Sequence, residues 1–223
     1  MSKKLYTINT VNNFMEVIFN PFGKPFAEEN PDIQVYNIMD DSLLSDTLKQ
    51  GCVSPDVAGR MLQYALAAQN SGADGILVTC TSVNEATRYI KEFLRIPIMN
   101  IEEPTAQMAV DSGSTIGVLA TLPTSPAAIG RVIQQYADKK GKAITIKNAV
   151  VDGAFDVLCS GDRTRHDEMV CGALYELAKE VDVIAFAQIS MSLLRHDPVS
   201  VPLCKIGASG FARIKELMDA PAK

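Results

Sequence analysis

The chain has 223 residues, of which 47% are hydrophobic, and its formal net charge is −5. This length is enough for one large or two small cores, and a mildly acidic balance without a basic cluster argues against nucleic acid or an anionic membrane surface as a partner. The sequence has no run of about 18 apolar residues, so it predicts no membrane span, and we expect no signal peptide. The number of cysteines, five, is odd, and they include no CxxC pair. The chain has only two histidines and no HxH or HExxH motif, so we expect no transition-metal site. We therefore expect a cytoplasmic globular protein with reduced thiols.

The first half of the chain predicts strands that alternate with helices. Strands are predicted at 5–10, 34–38, 74–80 and 96–100. Apolar residues after Phe14 indicate a turn or two of helix, which we expect Pro21 and Gly23 to end. Ser54 and Pro55 begin a longer helix, because a serine caps the first turn and proline needs no N–H there. A further helix is predicted from 83 to 94.

The second half repeats this alternation. Strands are predicted at 115–120, 143–147, 182–188 and 201–204. Helices are predicted at 103–113, 125–138 and 207–218, and another begins near Gly161–Asp167. Strands separated by helices of this length predict βαβ units in a mainly parallel sheet, and therefore an α/β fold.

Two strands of the chain resemble each other, and each ends in a polar residue. Moving 108 positions along the sequence takes Asp74 to Asp182, Cys80 to Gln188 and Ser82 to Ser190. Thr10 and Thr121 likewise end the first strand of each half. We therefore predict two similar lobes, 1–101 with 205–223 and 102–204, whose strand C-termini face one cleft. Ligands of parallel α/β proteins bind at such ends.

With these residues the chain resembles the aspartate/glutamate racemase superfamily, which includes hydantoin racemases, maleate isomerase and arylmalonate decarboxylase. The resemblance lies in Asn9-Thr10, Thr79-Cys80-Thr81-Ser82, Glu102-Glu103-Pro104, Gly117–Thr121 and Ala187–Met191. It implies two pseudo-symmetric, Rossmann-like α/β lobes and cofactor-independent chemistry on a small carboxylate. It also implies a homo-oligomer, a dimer or higher.

The resemblance further implies a proton-transfer mechanism, from which this chain departs at one position. In two-thiol members one cysteine removes the α-proton and a second returns it on the opposite face. Cys80 matches the first cysteine, but Gln188 stands where the second would be. A carboxamide has no useful proton affinity near neutral pH, although it can hydrogen-bond an enolate or oxyanion.

Three chemistries with one thiol remain open. Cys80 is expected to move a proton at the α-carbon as a racemase-like isomerase does, to protonate an enolate after decarboxylation, or to attack carbon as a hydrolase nucleophile. Two non-catalytic alternatives are that Cys80 is a small buried hydrophobe and that the protein only binds a small acid. Cys52, Cys159, Cys171 and Cys204 are interpreted as structural or incidental.

His166 is the sequence's candidate for a second base, with Asp162 placed to orient it. The alternative is a capped helix start with a histidine in its first turn. Substrate oxygens are expected to bind polar groups at the strand ends, although Ser and Thr there also act as plain helix caps. Asp74 and Asp182, at strand starts, are predicted to be structural. The predicted binding residues are Asn9, Thr10, Asp41, Ser42, Thr81, Ser82, Thr121, Ile189 and Ser190.

Overall fold

The computed structural model describes residues 2–220 and contains two four-stranded parallel sheets. The first sheet has the order β2-β1-β3-β4 and the second the order β6-β5-β7-β8. The described chain divides into two compact units, one running to Ile101 and resuming at Gly207, the other spanning Glu102–Ile206. The strands are β1 (Lys3–Asn9), β2 (Ile33–Met39), β3 (Gly75–Val78), β4 (Ile98–Asn100), β5 (Thr115–Ala120), β6 (Thr145–Val150), β7 (Val183–Phe186) and β8 (Leu203–Cys204).

Helices connect the strands in both units. They are α1 (Lys24–Glu29), α2 (Ser42–Gln50), α3 (Pro55–Asn70), α4 (Asn84–Ile90), α5 (Glu103–Ser112), α6 (Ser125–Lys140), α7 (Ala154–Cys159), α8 (Arg163–Leu177) and α9 (Ala208–Asp219). Between residues 2 and 220, none of the helices is long and apolar enough to cross a membrane. The α/β fold class predicted from the sequence is confirmed.

Several predicted boundaries are wrong, and one error has a clear cause. Pro21 and Gly23 do not end the first helix, because the π-helix Met15–Gly23 contains both and leads directly into α1. The backbone N–H of Lys24 donates to the carbonyl oxygen of Phe19, so this hydrogen bond spans Pro21. The helices α2 and α7 were not predicted, and β6 extends to Val150 rather than ending at 147.

The two central strand pairs have the same register. Leu5 pairs with Gly75 in the first sheet, and Ile116 pairs with Val183 in the second. All four residues of β3 and all four of β7 are buried, as expected for parallel strands covered on both faces. The duplication predicted from the sequence therefore extends to the hydrogen-bonding pattern of the backbone.

Asp74 and Asp182 stabilise equivalent positions at the start of these strands. The Asp74 carboxylate accepts from the backbone N–H of Lys4 at 2.7 Å. The Asp182 carboxylate accepts from the backbone N–H groups of Ser114 and Thr115 at 2.9 and 2.8 Å. Both aspartates therefore hold neighbouring strands in register, which is the structural role predicted for them.

The helix α9 packs closely against the first sheet. At Gly210 a Cβ atom would lie 2.7 Å from the carbonyl oxygen of Ile101, which belongs to the backbone and cannot rotate away. Glycine therefore permits this close approach of helix and strand end.

Replacing Gly210 by alanine is expected to lower the free energy of unfolding by about 1–3 kcal/mol, because the added methyl group overpacks this contact. The matched control is Gly59→Ala in α3, where a Cβ atom would meet nothing within 4 Å. This control should stabilise the protein by about 0.5–1 kcal/mol, since alanine favours the helix. Urea unfolding measures both, and equal effects of the two substitutions would contradict the close packing of α9.

Candidate active site

Cys80 lies two residues beyond the C-terminal end of β3. A 3-10 turn, Thr81–Val83, follows it and leads into α4. The carbonyl oxygen of Cys80 accepts from the backbone N–H of Val83 at 3.3 Å, and the thiol is half-buried and in no disulfide. Thr81 and Ser82 are buried. The thiol thus stands at the start of a helical segment, where backbone N–H groups favour negative charge.

The end of β1 lies beside the end of β3 and is joined to it by hydrogen bonds. The Thr79 hydroxyl contacts the Asn9 carboxamide oxygen at 2.8 Å. The Asn9 amide nitrogen donates to the Thr7 hydroxyl at 2.8 Å and to the carbonyl oxygen of Ile38 at 3.3 Å. Because both hydrogens of this amide bind the protein, Asn9 ties three strand ends together and is a poor donor to a substrate.

Thr10 differs from its neighbour. Its side chain is only 2% exposed, and its hydroxyl has no hydrogen-bond partner among residues 2–220. An unsatisfied buried hydroxyl costs free energy and is therefore a natural place for a ligand's oxygen or a water molecule. Among the binding residues predicted in this unit, Thr10 has the most evident capacity to receive one.

The turn after β2 is organised by the partly buried carboxylate of Asp40. One oxygen of Asp40 accepts from the Ser42 hydroxyl at 2.5 Å and from its backbone N–H at 2.9 Å. The other accepts from the Tyr64 hydroxyl at 2.8 Å and lies 3.6 Å from the Arg60 guanidinium. Burial tends to raise the pKa of Asp40, but the hydrogen bonds from Ser42 and Tyr64, together with Arg60, outweigh it and lower the pKa.

Two predicted binding residues belong to this turn. The Ser42 hydroxyl accepts from Arg60 while its only hydrogen goes to Asp40, so it has none left to donate to a carboxylate. Asp41 is exposed, and its carboxylate accepts from the Asn12 amide at 2.9 Å. Ser42 is thus better placed to shape the turn than to bind substrate.

In the second unit, Gln188 occupies the position equivalent to Cys80, two residues beyond the end of β7. Its carboxamide oxygen accepts from the backbone N–H of Thr121 at 2.9 Å, and its nitrogen donates to the Thr121 hydroxyl at 2.8 Å. Gln188 is 8% exposed. These two bonds join the ends of β5 and β7 and leave one N–H and one lone pair of the amide for other partners.

The residues after Gln188 begin a second 3-10 turn, Ile189–Leu193. Ile189 and Ser190 are buried, and the carbonyl oxygen of Ser190 accepts from the Arg163 guanidinium at 3.3 Å. The turn is therefore fixed to the start of α8.

His166 lies in the first turn of α8 and is fully buried. Its Nδ1 is 2.8 Å from a carboxylate oxygen of Asp167, and its buried Nε2 has no hydrogen-bond partner in the part of the chain that the structure describes. The prediction that Asp162 orients the ring is wrong, because that carboxylate caps α8 by accepting from the backbone N–H of Arg165 at 2.9 Å. The orienting carboxylate is Asp167.

Three further thiols, those of Cys159, Cys171 and Cys204, are less acidic than usual. Burial raises the pKa of the Cys159 and Cys171 thiols, and it raises that of Cys204 to about 11. These thiols are therefore protonated near neutral pH and are weak nucleophiles.

The structure thus places Asn9, Thr10 and Thr79 together in the first unit, and joins Thr121 to Gln188 in the second. Sequence reasoning missed the groups that support these positions. Local signals existed for some, since Asp40 precedes Ser42 by two residues, as in an Asx-turn, and Asp167 is adjacent to His166. Arg60 and Tyr64 gave no such signal, because they reach the turn from a different helix. The residues missed are Asp40, Arg60, Tyr64, Thr79 and Asp167.

In each parallel sheet, polar residues stand where two neighbouring strands end. Proteins of the α/β class bind their ligands at this edge of the sheet. The family model of the Asp/Glu/Hydantoin racemases matches residues 15–210, and the chain belongs to this family. Comparison with curated protein sequences gives no significant match.

Solved structures with the same fold include several racemases. A glutamate racemase from Bacillus anthracis has a TM-score of 0.73 and 15% identity, with 97% of this chain and 82% of that chain covered. Allantoin racemase from Klebsiella pneumoniae has a TM-score of 0.69 and 17% identity, with 98% and 88% covered. Aspartate racemase from Picrophilus torridus has a TM-score of 0.67 and 15% identity, with 99% and 96% covered. At these identities the likeness shows the fold alone.

Removing the charge of Asp40 should make the free energy of unfolding vary less with pH in the acid range. The folded-state pKa lies below the unfolded value of 3.8, so ionised Asp40 stabilises the fold above that pH and ceases to do so as the pH falls through the folded-state pKa. Asp40→Asn should therefore have a lower free energy of unfolding than wild type at pH 7, and the difference between the two proteins should become smaller below about pH 5. Urea unfolding across this range measures it, and a gap that stays constant down to pH 3 would contradict the assignment.

Replacing Gln188 by alanine leaves the N–H and hydroxyl of Thr121 without their partner. We expect the free energy of unfolding to fall by about 1–3 kcal/mol, the cost of leaving buried polar groups unsatisfied. The control is Gln134→Ala in α6, where an exposed side chain donates to Asp138 at 2.7 Å. Its loss should cost less than about 0.5 kcal/mol. If both variants unfold at the same urea concentration, the contact of Gln188 with Thr121 does not contribute to stability.

Proposed function

We propose that the protein is a cofactor-independent, racemase-like isomerase that acts on a small carboxylate, with Cys80 transferring a proton at the α-carbon. The single observation that carries this proposal is the position of Cys80 in a chain of the racemase family: it lies two residues beyond a buried parallel strand and directly before a helical turn. A thiol in this setting is favoured as an acid/base because nearby N–H groups stabilise its charged form.

The surrounding residues suit a carboxylate that must lose or gain an α-proton. Thr10 offers a buried hydroxyl without a partner, and Thr81 and Ser82 follow the thiol on the same turn. Developing negative charge on an enolate is stabilised by donors that are already in place before the reaction. Gln188, Ile189 and Ser190 are the corresponding binding groups proposed at the strand end of the second unit.

Gln188 makes the proposed chemistry asymmetric. Its carboxamide cannot take up a proton near neutral pH, and two of its groups already bind Thr121. His166 is the proposed second acid/base. Its Nδ1 lies 2.8 Å from a carboxylate oxygen of Asp167, so Nε2 is the nitrogen proposed to exchange a proton. If His166 did not act, Cys80 would exchange the proton on one face of the α-carbon only.

The related racemases suggest which substrates to test. Their names specify glutamate, aspartate and allantoin, each with an acidic hydrogen on a carbon next to a carbonyl group. The same panel should include phenylmalonate, because decarboxylation followed by protonation from one thiol is the principal alternative.

The test is incorporation of solvent deuterium at the α-carbon, followed by NMR in heavy water for both enantiomers of aspartate, glutamate and allantoin. Wild type should label aspartate or glutamate, and Cys80→Ser should label the same substrate at least about a hundredfold more slowly, the usual contribution of a positioned acid/base. Labelling of allantoin alone would contradict the proposed carboxylate substrate, because allantoin has no carboxylate. Cys52→Ser is the matched control, because it removes an exposed thiol of the same unit and should leave the rate unchanged.

Three other outcomes would each replace the proposal. Release of carbon dioxide from phenylmalonate without exchange elsewhere would identify a decarboxylase. A covalent adduct on Cys80, seen by mass spectrometry, would identify a nucleophilic hydrolase. Saturable binding of a panel member with no labelling, and with the same behaviour in Cys80→Ser, would identify a binding protein.

A further inference from the structure

Arg60 connects the helix α3 to the turn that follows β2. One of its guanidinium nitrogens donates to the Ser42 hydroxyl at 2.5 Å and lies 3.6 Å from Asp40. The other donates to the Asp46 carboxylate in α2 at 2.6 Å. The side chain is 30% exposed, so these bonds are partly protected from water. We propose that Arg60 is a positioning residue, which holds this turn and the loop after β1 in the arrangement that binds substrate.

The turn is coupled to the loop after β1 by two hydrogen bonds. The backbone N–H of Asp40 donates to the carbonyl oxygen of Asn9 at 3.0 Å. One residue further on, the Asp41 carboxylate accepts from the Asn12 amide at 2.9 Å. Thr10 lies between these two attachment points, so a shift of the turn is transmitted to the Thr10 hydroxyl.

The charge of Arg60 matters as much as its hydrogen bonds. Three carboxylates, Asp40, Asp41 and Asp46, lie on or beside this turn. Arg60 contacts two of them, whereas Lys49 approaches only Asp46, at 3.7 Å. Without the guanidinium, Asp40 and Ser42 lose their cationic partner and the turn becomes more negative. A more negative turn disfavours an anionic substrate.

Arginine suits this position better than lysine would. Its planar fork offers two nitrogens in a fixed geometry, and here one binds a hydroxyl and the other a carboxylate. A lysine ammonium can neutralise charge but cannot reproduce both contacts at once. Arg60→Lys should therefore restore the charge and only part of the positioning.

The proposal rests on the proposed function, and two measurements on the full chain separate the two ideas. The first is hydrogen exchange by mass spectrometry, which needs no substrate. Arg60→Ala should speed exchange in residues 9–13 and 39–46 while leaving β3 protected as in wild type, because only a local anchor is lost. The control is Arg213→Ala, which removes an exposed contact with Glu216 in α9 and should change neither segment.

The second measurement is the deuterium-labelling rate with aspartate, glutamate or allantoin, whichever the wild-type enzyme labels. Arg60→Ala should raise KM roughly tenfold and change kcat by less than about threefold, the pattern of lost substrate binding, with Arg60→Lys in between. Arg213→Ala should match wild type.

Each other result overturns the assignment. Unchanged exchange in residues 9–13 shows that Arg60 does not hold the loop, and faster exchange throughout the unit shows a general stabilising role. Faster local exchange with unchanged KM shows that the turn does not belong to the binding site. If wild type labels no substrate, the proposed function itself has failed, and the role of Arg60 in it fails at the same time.

Discussion

The backbone hydrogen bonds between the central strands determine which side chains stand at the functional edge of each sheet. β1 pairs with β3 in the same register as β5 pairs with β7, from Leu5 opposite Gly75 and from Ile116 opposite Val183. In both sheets the second residue beyond the end of the buried strand then takes the same position relative to the paired strand, so Cys80 and Gln188 are equivalent. A shift of one residue would turn each side chain to the opposite face of its sheet. The proposed chemistry therefore depends first on strand pairing.

The two copies use their equivalent positions differently. In the first unit Thr79 and Asn9 join the strand ends, and the thiol that follows is not needed for that purpose. In the second unit Gln188 itself makes the connection, by binding both the backbone and the hydroxyl of Thr121. At one strand end two other residues make the connection, whereas at the other Gln188 makes it. The proposed chemistry is therefore assigned to the first unit's Cys80.

The sequence was sufficient to predict the α/β class, the equivalent positions of Cys80 and Gln188 in the two units, and the structural role of Asp74 and Asp182. Each of these depends on local pattern and on repetition. It was insufficient where contacts come from distant segments. Arg60 reaches Ser42 from another helix. Whether Asp162 or Asp167 contacts His166 depends on side-chain rotamers at the start of α8. Pro21 misled because a π-helix can continue past a proline when the hydrogen bonds on either side span it. Which hydroxyls are already satisfied, as Ser42 is and Thr10 is not, follows only from three-dimensional contacts.

The central claim is that the Cys80 thiol acts at the α-carbon of a bound acid. The most direct measurement is a crystal structure of the Cys80→Ser protein with an acid that the wild-type enzyme labels. The account predicts the α-carbon of that acid within about 3.5 Å of the serine oxygen, the distance at which a proton or a bond can be transferred. It also predicts a carboxylate oxygen of the acid on the Thr10 hydroxyl. An acid bound with its α-carbon out of reach of residue 80 would contradict the account.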